Sequence, residues 1–583
     1  MLFHRLALPV LLVGCSSAFW SASSFAEEAP ASRKVAKAIS GREIFLREWL
    51  PNDPRSHGGD GLGPVFNETS CVACHNQGGV GGSGSEGKNV NVISSIRVPN
   101  QAELQALQQK AAAEAQATQA GGQKPQPQAG DLTAFVAQSL EAGRKLGSEP
   151  IQKPKPLSDE ERKTQLAALK ELHPGLATTR SVVLHRSSID ANYSEWRQKL
   201  MLGAEMFDQL AMMAGAPGLA SRNLGGIPTP QSALSGLLQV TPPREMSVER
   251  TSSLTDTFMS HPTFRAQLGL RGNRDGKTPM FGIQVSQRNT TSLFGAGLID
   301  SIPEAVIVAA AEQEHPEYPP ATGRVARTKD NKVGRFGWKS QKASLYDFTM
   351  TACAVELGLN VPDHRQAGSP QRPDYQPAGF DLNQAECDAL VKYLKELPAP
   401  VAATTDNAGV RESLKNGERL FAKIGCAACH TQKLGDVAGI FSDLLVHDMG
   451  PDGGDSGDYG VFVPESTPSD SEDPIPEVNA VQIQQIQGGR FAAPNSQTLQ
   501  VIPENLKGAA SQEWRTAPLW GVRDSGPYLH DGRAKTLEQA IAMHGGEGQQ
   551  SAMNFYSLSK TDQTLVLAFL RSLVAPDAIA AAQ

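Results

Sequence analysis

A mainly α-helical fold built from two similar halves is predicted by three features of the sequence. Apolar residues recur at helical spacing in several segments, for example 41–49 and 559–574. Strand-like alternation of apolar and polar residues is sparse throughout the 583 residues. The third feature is a C-x-x-C-H motif that occurs once in each half of the chain, at 71–75 and at 426–430.

The C-x-x-C-H pattern is the one by which haem c is attached to protein. Its two thiols can add to the vinyl groups of one porphyrin, and the following histidine supplies an axial nitrogen to the iron. A zinc site would need two C-x-x-C pairs about 15–20 residues apart, and a thioredoxin-like motif needs no histidine. The sequence therefore predicts two covalently bound haem c groups, held by Cys71, Cys74, His75, Cys426, Cys429 and His430.

Composition excludes one class of partner. The net charge is −7 and the pI is near 6.0, so no basic field for nucleic acid is expected. The length allows about three to four domains. Beyond the N-terminus, no stretch approaches the roughly 18 uninterrupted apolar residues of a membrane span.

The N-terminus is typical of an export signal. Arg5 precedes the apolar run Leu6–Val13, and the small residues of Ser24-Phe25-Ala26 form a cleavage site. The segment Leu12-Val13-Gly14-Cys15 competes with this site, because it resembles a bacterial lipoprotein signal with Cys15 as the lipidated residue. We therefore expect a periplasmic protein, either free or anchored to the outer membrane through a lipid on Cys15.

A short internal repeat supports two cytochrome-c-like haem domains. Residues 288–295 (Arg-Asn-Thr-Thr-Ser-Leu-Phe-Gly) resemble residues 514–521 (Trp-Arg-Thr-Ala-Pro-Leu-Trp-Gly), and each segment follows a C-x-x-C-H motif. The predicted division is a signal segment 1–26, a tether 27–38, an N-terminal haem domain 39–400 with an insertion at about 101–270, and a C-terminal haem domain 410–583. Outside the motifs, Cys353 and Cys387 are expected either to pair as a disulfide or to remain buried thiols.

Four segments resemble a family of dihaem c-type oxidoreductases. That family is distantly similar to the bacterial dihaem cytochrome c peroxidases and to the dihaem enzyme that matures methylamine dehydrogenase. The segments that carry the resemblance are 61–75, 335–339 (Arg-Phe-Gly-Trp-Lys), 444–450 and 528–533 (Tyr-Leu-His-Asp-Gly-Arg).

The resemblance implies that the two haems are unequal. The C-terminal haem would be a six-coordinate port for electrons, with His430 on one side of the iron. In the family, the ligand on the other side follows the Tyr-x-His-Asp-Gly motif at a spacing that here reaches His544, with Met543 immediately before it. We expect His544, or alternatively Met543, to be the distal ligand.

For the N-terminal haem, the resemblance implies an open distal side. Trp338, Leu345 and Glu356 occur in the family's order, with Trp338 expected between the haems and Glu356 expected as the general acid and base. Many peroxidases block this haem with a histidine shortly after the motif, but the next histidine after His75 is His173. The resemblance also implies a Ca²⁺ site near Asn289.

The leading functional prediction is an exported peroxidase of the cytochrome c peroxidase type. Peroxide would be reduced at the N-terminal haem with electrons from a small redox protein, either a cytochrome or a cupredoxin. Two alternatives stay open from the sequence. One is a dihaem electron carrier without catalysis. The other is an oxidase or oxygenase acting on a protein or an organic substrate, similar to the enzyme that matures methylamine dehydrogenase.

Overall fold

The computed structural model describes residues 39–98, 159–179, 181–202, 280–450, 453–455, 457, 459 and 508–576. The predicted signal segment, the tether and Cys15 lie outside this part of the chain, as does most of the predicted insertion. The described residues from Ser40 onward belong to one compact unit. The division into two haem domains stays a prediction.

Helices provide most of the regular structure of the described residues, as the sequence predicts. Their bounds are α1 Gly41–Leu46, α2 Cys71–Cys74, α3 Asp159–Leu172, α4 Ala296–Ser301, α5 Glu304–Ala311, α6 Leu345–Glu356, α7 Gln384–Lys395, α8 Ala408–Lys423, α9 Leu537–Ala542, α10 Gln549–Ser557 and α11 Lys560–Ser572. Several begin at a residue whose side chain accepts a backbone N–H of the first turn, as Ser344 does for α6 and Asn383 for α7. Among the described residues, no helix is long and apolar enough to cross a membrane.

The strands are short, with two exceptions. Their bounds are β1 Val65–Phe66, β2 Val90–Val98, β3 Ser181–Leu184, β4 Ser187–Ser188, β5 Met280–Arg288, β6 Val401–Ala402, β7 Lys433–Leu434, β8 Val437–Ala438, β9 Val446–Asp448, β10 Glu513–Arg515 and β11 Leu573–Val574. The two long strands, β2 and β5, form an antiparallel sheet in the order β3-β2-β5. The sequence pattern did not predict this sheet.

The three-stranded sheet explains how the chain accommodates its insertion. Val98 at the end of β2 pairs with Met280 at the start of β5, so the residues between them leave and return at neighbouring positions. One face of the sheet packs with α3 to form a buried apolar cluster, which includes Ile93, Val182, Ile283 and Leu169. Because these strands are buried, their apolar residues do not show the clean alternation of a half-exposed strand.

Candidate haem sites

The first C-x-x-C-H motif begins a short helix beside α1. The hydroxyl of Ser70 caps α2 by accepting the backbone N–H of Ala73, and the thiols of Cys71 and Cys74 are unpaired. Nδ1 of His75 lies 3.2 Å from the carbonyl oxygen of Gly82. Since a carbonyl can only accept, Nδ1 carries the proton and the lone pair is on Nε2. Burial lowers the pKa of His75 to about 4, so the ring is neutral, as an iron ligand must be.

The second motif is positioned in the same way. Its first three residues, Cys426–Ala428, form one turn of 3₁₀-helix that follows Gly425. Gly425 has a φ of 98°, and a Cβ there would lie 2.5 Å from the ring of Tyr318, so only glycine fits this turn. Nδ1 of His430 lies 3.0 Å from the carbonyl oxygen of Phe441, which leaves its lone pair on Nε2.

Each copy of the internal repeat makes an equivalent backbone hydrogen bond to the loop that orients the histidine of a C-x-x-C-H motif. The backbone N–H of Leu293 donates to the carbonyl of Gly81 at 2.8 Å, next to the residue that anchors His75. The backbone N–H of Leu519 donates to the carbonyl of Ile440 at 3.1 Å, next to the residue that anchors His430. The similarity of 288–295 to 514–521 therefore reflects equivalent framework positions around the two motifs.

A second histidine, His544, lies close to His430. The ring centroids of His430 and His544 are 6.5 Å apart. Two imidazoles bound to one metal through bonds of about 2.0–2.1 Å have centroids roughly 6–6.5 Å apart. Nδ1 of His544 lies 2.7 Å from the carbonyl oxygen of Ala540, so its Nε2 also carries a lone pair. Burial lowers the pKa of both rings. This donor pair fits a haem iron with two histidine ligands, and Met543, at the C-cap of α9, stays the alternative.

A carboxylic acid lies near the first motif. Glu356 is the last residue of α6, and its charge acts on the thiol of Cys74. Nδ2 of Asn67 donates a hydrogen bond of 2.7 Å to Oε2 of Glu356. Glu356 is half-buried. The protein atoms around its carboxyl keep water away from the charged form, and this desolvation raises its pKa to about 7.

The sequence did not single out the residues that hold Glu356. Asn67 lies four residues before the motif, and its Oδ1 accepts the backbone N–H of Arg186 at 3.0 Å. The charge of Arg186 lowers the pKa of Glu356, which partly opposes burial. His185, which is buried, has its Nε2 2.9 Å from the carbonyl oxygen of Val355. Arg186 and His185 lie in the predicted insertion, and no local pattern in the sequence connects them with residues 67 or 356.

Trp338 lies on a chain of contacts that joins the two motifs. Its indole N–H donates to the carbonyl of Asn289 at 2.8 Å, and its own carbonyl accepts the backbone N–H of Arg515 at 2.9 Å. The next residue after Asn289 is Thr290, whose carbonyl accepts a hydrogen bond of 3.2 Å from the loop after the first motif. The next residue after Arg515 is Thr516, whose carbonyl accepts one of 2.7 Å from the loop after the second motif.

Asn289, the predicted calcium residue, is buried at the same junction. Its backbone N–H donates to the carbonyl of His530 at 2.7 Å, and its side-chain amide donates to Asn89 Oδ1 at 3.2 Å. A Cβ added at Gly532 would lie 3.0 Å from this amide and 2.9 Å from the ring of Pro527. The structure therefore brings the Asn289 amide close to Pro527, just before the Tyr-x-His-Asp-Gly motif, and calcium binding itself stays a prediction.

A buried ionic cluster lies beside the second motif. Nε2 of His447 is 2.9 Å from Asp443, and Nδ1 is 2.7 Å from Glu547. Burial alone would lower the pKa of His447, but the Asp443 carboxylate holds it well above its usual value. Cys429, Asp443 and His447 are close enough to share a metal. However, Cys429 belongs to the haem motif and the carboxylates occupy both ring nitrogens, so we interpret the cluster as a support for the haem loop.

The two remaining described cysteines are unpaired. Cys353 and Cys387 are buried free thiols on α6 and α7, so of the two predicted alternatives the structure has the thiols. Burial raises the pKa of Cys387 to about 12 and that of Cys353 well above its usual value. Neither is therefore a thiolate nucleophile near neutral pH.

A protein-family model matches the C-terminal part of the chain. The family model described as "Di-haem oxidoreductase, putative peroxidase" matches residues 505–573. This segment includes the Tyr-x-His-Asp-Gly motif and His544. It does not include either C-x-x-C-H motif.

Three characterised proteins are distantly similar to the chain. The gamma subunit of hydrazine synthase from Kuenenia stuttgartiensis is 25% identical over 36% of this chain and 58% of its own length. The cytochrome-c peroxidase IdrP2 from Pseudomonas sp. (strain SCT) is 26% identical over 29% of this chain and 42% of its own length. The methylamine utilization protein MauG from Methylorubrum extorquens is 28% identical over 31% of this chain and 40% of its own length.

The chain thus matches about half the length of these relatives, and their activities do not transfer to it as a whole. The family model and the relatives nevertheless agree with the motifs identified in the sequence. The resemblance is therefore confirmed for the C-terminal segment: residues 505–573 are similar to the di-haem oxidoreductases.

Proposed function

We propose that this protein is an exported, periplasmic dihaem c-type oxidoreductase that reduces hydrogen peroxide at the haem of His75. Electrons enter through the haem of His430. Reduction of one peroxide to two waters consumes two electrons and two protons. The observation that carries the proposal is the difference between the two motifs: the ring centroids of His430 and His544 are 6.5 Å apart, whereas the first motif has Glu356 near Cys74, a carboxyl with a pKa near 7.

The residues around Glu356 suit proton transfer. When bound, haem c supplies an iron that can coordinate peroxide and exchange electrons. Peroxide reduction requires a proton to move from one oxygen to the other, and a group with a pKa near the working pH does this best. Because Asn67 donates to Oε2 of Glu356, that oxygen is held in place and Oε1 is left to accept and return the proton.

The contacts of Trp338 support a path for electrons between the sites. Its indole N–H and its carbonyl connect the segments that follow the two motifs, through Asn289 on one side and Arg515 on the other. An aromatic side chain at this junction can carry an electron or a radical in transit. We therefore assign Trp338 to electron transfer and Glu356 to proton transfer.

The proposal includes an electron donor, a cellular location and a calcium ion. A reduced small redox protein, either a cytochrome or a cupredoxin, would donate two electrons for each peroxide. The N-terminal signal would deliver the chain to the periplasm, free or anchored through Cys15. A calcium ion near Asn289 is part of the proposal and is tested by measuring the calcium content of the wild type and of Asn289→Ala.

The decisive experiment is an optical and EPR spectrum of the purified dihaem protein, followed by peroxide turnover with a reduced cytochrome. We expect one low-spin haem and one haem that is high-spin or becomes so on half-reduction. Peroxide should then oxidise two equivalents of the donor. Two low-spin haems that stay closed after half-reduction would contradict the proposal and favour an electron carrier.

A further inference from the structure

A cleft lies on the surface of the N-terminal part of the described chain, beside α1. Its volume is about 480 Å³. It is lined by the N-cap residue of α1, by three residues of α1 and by two residues that follow this helix: Ser40, Arg42, Glu43, Leu46, Arg47 and Arg55. Three of the six lining residues are arginines, and we call this feature the α1 arginine cleft.

Arg47 is the unusual member of the cleft. Only 6% of its surface is exposed, and its guanidinium lies 4.8 Å over the ring of Trp49. Within the part of the chain that the structure describes, Nη1 has no hydrogen-bond partner and no contact with solvent, and the guanidinium forms no ion pair. A buried guanidinium nitrogen without a hydrogen bond is unfavourable, so we looked for an acceptor that could reach Arg47.

The carboxylates nearest to Arg47 are already engaged. Asp53 accepts hydrogen bonds from Nε of Arg55 at 2.7 Å and from its backbone N–H at 3.0 Å. Glu386 lies 2.6 Å from Nε2 of His57 and accepts a backbone N–H in the capping box of α7. The charges of both acids reach Arg47, but burial and the charge of Arg55 outweigh them and lower its pKa.

The fourth charged member of the lining is Glu43, which is exposed at the cleft. Its charge acts on Arg47, but no hydrogen bond joins the two side chains in the described structure. An exposed carboxylate is screened by water and salt, so it compensates a buried guanidinium poorly. The cleft therefore keeps an excess of positive charge.

We propose that the α1 arginine cleft binds a small oxyanion of the phosphate class, which accepts hydrogen bonds from Arg47 and is held by the charges of Arg42 and Arg55. The planar fork of a guanidinium matches two oxygens of a phosphate, and such charge-assisted pairs are stronger than neutral hydrogen bonds. The cleft is open enough for a free ion to enter.

The test is calorimetric titration of inorganic phosphate into the full-length dihaem protein at low ionic strength, with sodium chloride of equal ionic strength as the reference. We expect one saturable site per chain. Arg47→Met keeps the packing on Trp49 and removes the donors, so it should weaken phosphate binding by at least about tenfold. Arg42→Gln, an exposed change that leaves the core intact, should weaken it about threefold and decides the question if Arg47→Met does not fold.

Two matched variants complete the design. Glu43→Gln removes the opposing charge and should tighten phosphate binding. Arg419→Gln removes an exposed arginine of α8, which pairs with Glu412, and should leave binding unchanged. The proposal is overturned if phosphate behaves as chloride does, or if Arg42→Gln and Arg47→Met bind phosphate as the wild type does.

Discussion

The side chain of Asn67 donates a hydrogen bond to Glu356, and a second hydrogen bond fixes the orientation of its amide. Asn67 Oδ1 accepts the backbone N–H of Arg186, and Asn67 Nδ2 donates to Glu356 Oε2 at 2.7 Å. A backbone N–H can only donate, so it determines which end of the amide faces the acid. The amide therefore stabilises the charged form of Glu356, whose pKa is otherwise raised by burial.

The first prediction concerns this hydrogen bond. Asn67→Ala removes a donor to the carboxylate, and a hydrogen bond to a charged group contributes about 1.5–3 kcal/mol. The pKa of Glu356 should therefore rise by about one unit or more above its present value near 7. The measurement is the pH dependence of peroxide turnover, together with the pH titration of the ferric optical spectrum.

The matched control for this prediction is Asn76→Ala. Asn76 lies directly after the same motif, but its amide donates only to the carbonyls of Val72 and Ala73. Its removal should leave both pH profiles in place. Equal shifts in the two variants would mean that the effect comes from the haem helix and not from Glu356.

The second prediction concerns the carboxyl itself. If Glu356 accepts the proton, turnover needs its ionised form, so the rate should rise as the pH increases through about 7. Glu356→Gln should lower peroxide turnover by about 100-fold and abolish that limb of the pH profile, with both haems still attached.

Glu68→Gln provides the comparison for Glu356→Gln. Glu68 also acts on Cys74, but it pairs with Lys88 and lies near Arg186. This second acid should be dispensable for turnover. A normal rate in Glu356→Gln would place the acid and base elsewhere.

The third prediction concerns the ligands of the second haem. His544→Ala removes one of the two facing imidazoles, so the low-spin signal of this haem should disappear while the haem stays attached through Cys426 and Cys429. Met543→Leu, a change of similar size at the neighbouring position, should leave the EPR and near-infrared spectra unchanged. The opposite pattern would make Met543 the ligand.

The sequence was sufficient for the features that are local in the chain. The C-x-x-C-H motifs and the helical segments depend on residues close together in sequence, whereas His544 was expected only from the resemblance, and its role as a ligand stays a prediction. Asn67 and Arg186 could not be found in this way, because their contact joins positions 119 residues apart. The β3-β2-β5 sheet was missed for a related reason, since buried strands lack alternation and their pairing spans the insertion.

The internal repeat carried more information than its length suggested. Leu293 and Leu519 occupy the same position in its two copies, and each donates to the carbonyl next to the one that orients a proximal histidine. Sequence similarity alone could not assign that task, because the acceptors, Gly81 and Ile440, have nothing in common as side chains. Both hydrogen bonds join backbone groups, so the type of side chain at these positions does not reveal them.

The last prediction distinguishes two tryptophans near the junction of the motifs. The indole N–H of Trp338 donates to the carbonyl of Asn289, and Trp338 lies on the proposed electron path. Trp514 stacks on His530 with ring centroids 3.5 Å apart, and Nζ of Lys339 lies 3.9 Å from its ring centroid. A cation over an indole disfavours removal of an electron from it, so Trp514 should be the harder of the two to oxidise.

Trp338→Phe should therefore slow electron transfer from the second haem to the first, by about tenfold, which corresponds to about 1.4 kcal/mol of barrier. Stopped-flow spectra after peroxide is mixed with the half-reduced protein measure this rate. Trp514→Phe should leave it nearly unchanged, while Lys339→Met, which removes the cation over Trp514, should make that indole easier to oxidise. A large loss of rate in Trp514→Phe with a normal Trp338→Phe would move the electron path from Trp338 to Trp514.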